Sequence, residues 1–172
     1  HEYGHHLEAS ISSLPVGPPN YHDGCQASFF WSGGLLVNSP ELAWLEGFAS
    51  YFAAAVGRMR SPDRAIPDGL QFAAGMETPA NCGVIGQQST SGTVTAAMVE
   101  NLVQASLWDL VDPVGNPSQG VEAHDSIAFE DATIMQIFDR ELDGSLPANI
   151  LGFRSAWIAR GKNAAALDCI LS

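Results

Sequence analysis

Residues 1–11 read HEYGHHLEASI, and no other segment constrains the fold of this chain so narrowly. The segment predicts a helix, on which His1 and His5 lie one turn plus about 40° apart and project from one face. Two such imidazole nitrogens can bind one zinc ion at about 2.0–2.1 Å. The carboxylate of Glu2 can reach a water held on that metal, which is the general-base position of the HExxH pattern. An alternative interpretation is a polar helix start with solvated histidines.

A catalytic zinc ion needs three protein ligands and one open position. The metzincin pattern would require Gly at position 8 and His at position 11, but this chain has Glu8 and Ile11. Residues 43–49, AWLEGFA, place Glu46 within an otherwise apolar helix, where an unpaired carboxylate would be costly to bury. Glu46 is therefore the predicted third ligand. The neighbouring Gly47 costs about 1 kcal/mol in a helix relative to alanine, but it would allow close helix approach beside the metal.

Together, HEYGHH and AWLEGFASYFA resemble the gluzincins, the HExxH-plus-Glu metallopeptidases that include thermolysin-like and aminopeptidase families. The resemblance implies zinc-dependent peptide-bond hydrolysis, with a zinc-bound water as nucleophile and a peptide or protein as substrate. Carried over, His1, His5 and Glu46 are the metal ligands and Glu2 is the general base. Residues 107–110, LWDL, also resemble uncharacterised bacterial members, although the resemblance is specific only at the two zinc helices.

The sequence departs from the gluzincin pattern in two places. The gap between His5 and Glu46 is 40 residues, and the insertion 12–38 could form part of the cleft wall. An Asp often stands four residues after the ligand Glu, where it can orient a ligand His, but this chain has Ser50 there. A hydroxyl is a weaker partner, and such support matters for metal affinity.

The resemblance also implies a His or Tyr that stabilises the oxyanion during attack on the carbonyl. His124 is the chosen candidate because it lies in a polar loop before a predicted helix, although an exposed loop histidine would look the same. The other candidates are Tyr21, His22 and Tyr51. Tyr51 is five residues after Glu46 and is expected to pack in the core. His6 is expected to support a ligand or to lie on the surface.

Further acids raise the question of a second metal. Glu100 and Asp109 lie in an apolar helical stretch, and either could hold a ligand His or a calcium ion, although we expect Glu100 on the wet face. A Gly/Asn loop is surrounded by Asp109, Asp112, Glu122 and Asp125. Calcium favours such oxygen-rich loops, but the spacing fits no EF-hand. Zinc is therefore the predicted cofactor, and calcium is a weaker candidate.

Composition limits the partners. The 172 residues carry a net charge of −12 with only 7 Lys plus Arg, so nucleic acid and anionic membranes would be repelled. No apolar run approaches the ~20 residues that a membrane span needs.

The cysteines bear on the cellular location. Cys25 and Cys82 lie in predicted loops and could form a disulfide, of which the third cysteine, Cys169, would not be part. A disulfide suits an exported protein, so we expect a secreted or cell-envelope protein of bacterial type.

The organisation is mainly α, with long irregular loops. Helices are predicted at 1–11, at 40–56 with Gly57 as the stop, and at 93–112, 127–142, 147–160 and 162–171, with irregular chain at 12–38 and loop with a short strand at 58–92. Residues 1–172 form one helical unit, predicted to be the helical C-terminal part of a zincin-type metallopeptidase catalytic domain. Because the motif opens the chain, we expect a fragment of a longer protein with the upstream sheet absent.

Two other functions remain open at the level of sequence. One is a catalytically weak or inactive zinc-binding module that acts in binding or structure, which the hydroxyl of Ser50 favours. The other is a zinc hydrolase that uses the same ligands on a substrate other than a peptide.

Overall fold

A computed structural model of the chain describes residues 1–11, 20–21, 24–32, 35–60, 82, 86–89, 92–111 and 127–171. The helices are α1 (Glu2–Ile11), α2 (Pro40–Arg60), α3 (Glu100–Asp109), α4 (Asp131–Arg140), α5 (Ile150–Ala159) and α6 (Ala164–Ile170), with a short 3-10 helix at Ala96–Met98. The strands are β1 (Asn20–Tyr21), β2 (Phe29–Ser32), β3 (Leu35–Asn38), β4 (Gln88–Ser89) and β5 (Gly92–Thr93). The mainly helical prediction is confirmed for the described part of the chain.

Helix α2 is the long central element, with 21 residues. Its start agrees with the sequence, since Pro40 is the first helical residue and the hydroxyl of Ser39 accepts a hydrogen bond from the Leu42 amide at 3.0 Å. The predicted stop at Gly57 is wrong, because the helix continues to Arg60. The extra turn carries Arg58, whose guanidinium donates to the Val111 carbonyl at 2.6 Å and pairs with Asp131. These contacts stabilise a turn that glycine alone would weaken.

The core is built around the aromatic face of α2. Trp44 and Phe48 are fully buried, and Phe48 stacks on Phe138 of α4 with ring centroids 4.1 Å apart. Trp44 contacts Phe153 of α5, so three helices meet at these rings. The predicted core residues Trp44, Trp108, Phe138 and Trp157 are all buried, as are Ile127, Ile134 and Ile137. Their burial anchors α2 against the second half of the chain.

Two glycines bring neighbouring helices unusually close to α2. A Cβ at Gly4 of α1 would lie 2.7 Å from the Ala49 Cα, and one at Gly47 would lie 2.9 Å from the Glu100 carbonyl oxygen. Gly47 does permit a close approach, but its partner is α3, and the approach of the histidine-bearing α1 occurs at Gly4. Because Gly47 and Ala49 differ by about 200° around the helix, α1 and α3 pack on different sides of α2. Glu46 lies on the strip between them.

The region 12–38 is not wholly irregular, contrary to the prediction. An antiparallel sheet has the order β1-β2-β3, and Ser32 pairs with Leu35 across the β2–β3 hairpin. The sequence signal was present, since FFWS and LLVN are β-prone runs separated by two glycines. The last strand leads directly through Ser39 into α2.

The helix predicted at 93–112 begins later than expected. Residues 92–93 form β5, paired with β4, and α3 starts only at Glu100. Val99 adopts an extended backbone and makes a β-bridge with Ala27, which prevents the helix from extending towards the N-terminus. Tertiary pairing therefore overrides an apolar periodicity that favoured helix.

Cys25 and Cys82 form a disulfide across a sequence separation of 57 residues. The predicted pairing is thus present, and Cys169 is exposed and takes no part in it. Around the bridge, the Asn101 amide donates to the Gly24 carbonyl, and Ala27 and Val99 pack in a small buried cluster. The disulfide therefore ties Cys82 to the segment before β2, and the contacts of Gly24 and Ala27 join that segment to the start of α3.

The last three helices lie close to their predicted positions. Helix α5 begins at Ile150 because the Asn149 side chain accepts from the Leu151 and Gly152 amides. Ion pairs join Arg160 to Glu141 and Lys162 to Glu130. Within the described ranges, none of the helices is both long and apolar enough to cross a membrane.

We predict that Gly4→Ala lowers the free energy of unfolding by about 1–3 kcal/mol, the usual cost of overpacking. The new methyl would meet the backbone of Ala49, which cannot move aside without displacing α2. Chemical denaturation of the two proteins measures the difference. The control is Ala9→Ser, an exposed position on the same helix, which should change the free energy of unfolding by no more than about 0.5 kcal/mol. An unchanged stability for Gly4→Ala would contradict the proposed contact.

Candidate metal centre

Three potential ligand atoms from α1 and α2 meet at one point. The Nε2 atoms of His1 and His5 are 3.0 Å apart. The Oε2 atom of Glu46 lies 3.4 Å from Nε2 of His1 and 3.2 Å from Nε2 of His5. Within the described residues, this trio is the group of His, Cys, Asp or Glu side chains placed to hold a metal ion. The three residues predicted as ligands are therefore brought together.

The spacing of these atoms fits a small tetrahedral ion. Two atoms that are each about 2.0–2.1 Å from a tetrahedral zinc ion lie about 3.3 Å apart. The three observed separations, 3.0, 3.2 and 3.4 Å, bracket that value. Two imidazole nitrogens and one carboxylate oxygen are also a donor set that zinc accepts in catalytic sites. Both the geometry and the chemistry of the donors fit zinc.

Burial is uneven across the site. Glu46 is 5% exposed, whereas the side chains of His1 and His5 each keep 25% of their surface accessible. A buried carboxylate needs a cation or hydrogen bonds to offset lost solvation. The two histidines contact Glu46 and meet that need, and each keeps part of its own side chain accessible to solvent.

Each histidine is also contacted at its second ring nitrogen. Nδ1 of His1 lies 3.1 Å from the Ser50 hydroxyl, and Nδ1 of His5 lies 3.1 Å from Oε2 of Glu8. Ser50, four residues after Glu46, therefore contacts a predicted ligand His, as was expected of an Asp at this place in the gluzincin pattern. The contact from Glu8 was not predicted, since Glu8 served only to exclude the metzincin pattern. The three-residue spacing on one helix face was the available signal.

The charges of the site are strongly coupled. Hydrogen bonds that His5 donates to Glu46 and then to Glu8 raise its pKa to about 10, although burial acts in the opposite direction. Burial raises the pKa of Glu8 to about 7, although the contact with His5 lowers it. Two carboxylates therefore flank one imidazole, and a positive charge between them stabilises the arrangement.

Other residues singled out in the sequence lie in varied places. Glu2 and His6 are exposed on α1. Tyr51 is buried and its hydroxyl donates to Asp131 at 3.3 Å, so its predicted packing role is confirmed. Glu100 is only 5% exposed, so the prediction of a wet face is wrong. Its place at the start of α3, close against α2, accounts for the burial.

Several candidates cannot be placed in the structure. His124, His22, Asp112, Glu122 and Asp125 lie outside the described residues. Tyr21 lies on β1, and Asp109 ends α3 with intermediate exposure. The predictions of an oxyanion-stabilising His124 and of a calcium loop therefore stay predictions.

Comparison with known proteins identified no relative: no protein-family model, no curated protein and no solved structure matches the chain. The gluzincin resemblance therefore rests on the residues quoted from the sequence.

We predict that the chain binds one zinc ion and that His5→Ala or Glu46→Gln weakens binding by more than about 100-fold. Loss of a ligand should exceed the roughly 10–100-fold cost of losing a residue that only orients one. Competition with a chromophoric chelator measures the affinity. His6→Ala is the matched control, because His6 is an exposed histidine on the same helix. Equal losses for all three variants would contradict the assignment of ligands.

Proposed function

We propose that this chain is a zinc-dependent peptidase of the gluzincin type, which hydrolyses peptide bonds in a peptide or protein substrate. One observation carries the proposal: the donor atoms of His1, His5 and Glu46 converge at 3.0–3.4 Å. The two histidines belong to an HExxH segment, in which Glu2 has the position of the general base. A solvated helix start would not require a buried carboxylate from α2 between the two rings.

The residues divide the chemistry between them. A zinc ion held by the trio would supply a Lewis acid that lowers the pKa of a bound water and polarises the scissile carbonyl. Glu2 is exposed in the first turn of α1, directly after the ligand His1. Its carboxylate accepts the proton of the attacking water and delivers it to the leaving amine. His124 is the proposed donor to the oxyanion.

A second candidate function is a zinc-binding module with little or no catalysis. The observation that favours it is the contact from Ser50 to His1, because a hydroxyl holds an imidazole less strongly than a carboxylate does. In that case zinc would join α1 to α2 and stabilise the fold, as structural zinc does elsewhere. A peptidase and a binding module would both contain zinc, but only the peptidase would cleave peptides.

The cellular location follows as a separate proposal. The disulfide between Cys25 and Cys82 suits an oxidising compartment. We therefore propose that the protein is secreted or lies in a cell envelope of bacterial type. We also propose that the chain is part of a zincin-type catalytic domain.

We predict that Glu2→Gln lowers kcat by about 100- to 10,000-fold, the usual contribution of a general base, while zinc stays bound. The variant keeps the size of the side chain and removes the proton acceptor. A quenched-fluorescence peptide library on the full-length protein measures turnover, and elemental analysis measures zinc.

Asp143→Asn is the control, since it removes one exposed acid in the turn after α4 and should leave turnover unchanged. Activity retained in Glu2→Gln would refute the role of Glu2. A wild-type protein that holds zinc but cleaves no peptide would instead support the binding module.

A further inference from the structure

Glu8 is a fully buried carboxylate on α1. Its exposed fraction is 0%, and its Oε2 atom lies 3.1 Å from Nδ1 of His5. Removing a carboxylate from water is expensive, so an acid at such a position requires a compensating group. The surrounding helices are joined through the close contact of Gly4 with Ala49, which does not involve Glu8. The acid therefore needs an explanation beyond helix packing.

The direction of the hydrogen bond follows from chemistry. When Glu8 is ionised its carboxylate can only accept, so Nδ1 of His5 then carries the hydrogen of this contact. In a neutral imidazole the lone pair is then on Nε2, which is the atom that lies 3.2 Å from Glu46 and 3.0 Å from the corresponding atom of His1. Glu8 thus presents His5 in the tautomer that a metal requires.

Ser50 cannot impose the same choice on His1. A hydroxyl can donate or accept, so its 3.1 Å contact with Nδ1 of His1 is compatible with either tautomer. The two histidines are therefore supported unequally, by a buried carboxylate on one side and by a hydroxyl on the other.

We propose that Glu8 is the positioning residue of the metal centre, holding His5 with its Nε2 lone pair directed at the ion. The inference rests on the proposed zinc site, but not on peptide cleavage. It assigns to α1 both a ligand and the group that orients it, three residues apart on one helix face. The site is then prepared for metal by contacts within a single helix, and Glu46 completes it from α2.

The test compares zinc affinities by chelator competition in the full chain. We expect Glu8→Leu to weaken zinc binding by about 10–100-fold, the usual cost of losing such support. Glu8→Gln should lose less, because its amide oxygen can still accept from Nδ1 although it carries no charge. Asp143→Asn controls for the loss of one negative charge and should leave zinc affinity within about twofold, since Asp143 is exposed and an exposed charge is screened.

A second measurement separates positioning from simple stabilisation of the fold. Nitrogen-15 NMR of the zinc-loaded protein should show Nδ1 of His5 protonated and hydrogen-bonded in the wild type, with that proton signal shifted or lost to exchange in Glu8→Leu. Thermal unfolding of the metal-free variants checks that each is folded.

The outcomes are distinct. Zinc affinity and the His5 signals unchanged in Glu8→Leu would overturn the role of Glu8 while leaving the metal centre intact. Wild-type protein that binds zinc but cleaves no peptide would overturn the peptidase proposal alone. Failure of the wild type to bind zinc would overturn both.

Discussion

The contact of α1 with α2 at Gly4 is the constraint on which the rest of the site depends. A Cβ there would lie 2.7 Å from the Ala49 Cα, so only glycine allows the two backbones to approach this closely. The approach brings the rings of His1 and His5 onto Glu46, whose carboxylate would otherwise be buried among apolar side chains. Shifting α1 outward by even one methyl would separate the donor atoms, because well-packed helices transmit displacements rather than absorbing them. The candidate metal centre is therefore a product of helix packing as much as of motif.

Electrostatics reinforces this packing and creates a demand for positive charge. Glu46 and Glu8 both contact His5, and the pKa of that imidazole rises accordingly. Two carboxylates around one ring leave an excess of negative charge once the ring is neutral, and a divalent cation offsets it better than a proton does. Without metal, the buried carboxylates of Glu46 and Glu8 lower the stability of the fold. With metal bound, the same site would raise it, because only the folded chain brings the ligands together.

The described residues of the second half of the chain contribute no ligand to the site, but they pack against α2 and fix its position. Helices α4 and α5 pack their aromatic rings on α2, and Arg58 joins the end of α2 to Asp131 at the start of α4. The segment before β2 is joined to the start of α3 by the hydrogen bond from the Asn101 amide to Gly24 and by the bridge of Ala27 with Val99, and the Cys25–Cys82 disulfide constrains the same segment. Helix α2 is thus fixed along most of its length, and a rigid α2 gives Glu46 and Ser50 defined positions against α1.

The sequence by itself determined the features that depend on local spacing. HExxH puts two imidazoles on one helix face, Ser39-Pro40 begins α2, and the apolar periodicity of residues 127–142 predicts α4, because each follows from the 3.6-residue repeat and from capping. Glu46 was found because an acid in an apolar helix needs a partner. Only the tertiary structure decided where α3 begins, since the bridge of Val99 to Ala27 overrides local propensity. The tertiary structure also decided that α2 continues past Gly57. It further decided that Ser50 contacts Nδ1 of His1 and that Glu8 contacts Nδ1 of His5. The contact of Ser50 with His1 depends on how closely α1 approaches α2, although residues 12–39 separate the two helices in sequence, and no local pattern encodes that distance.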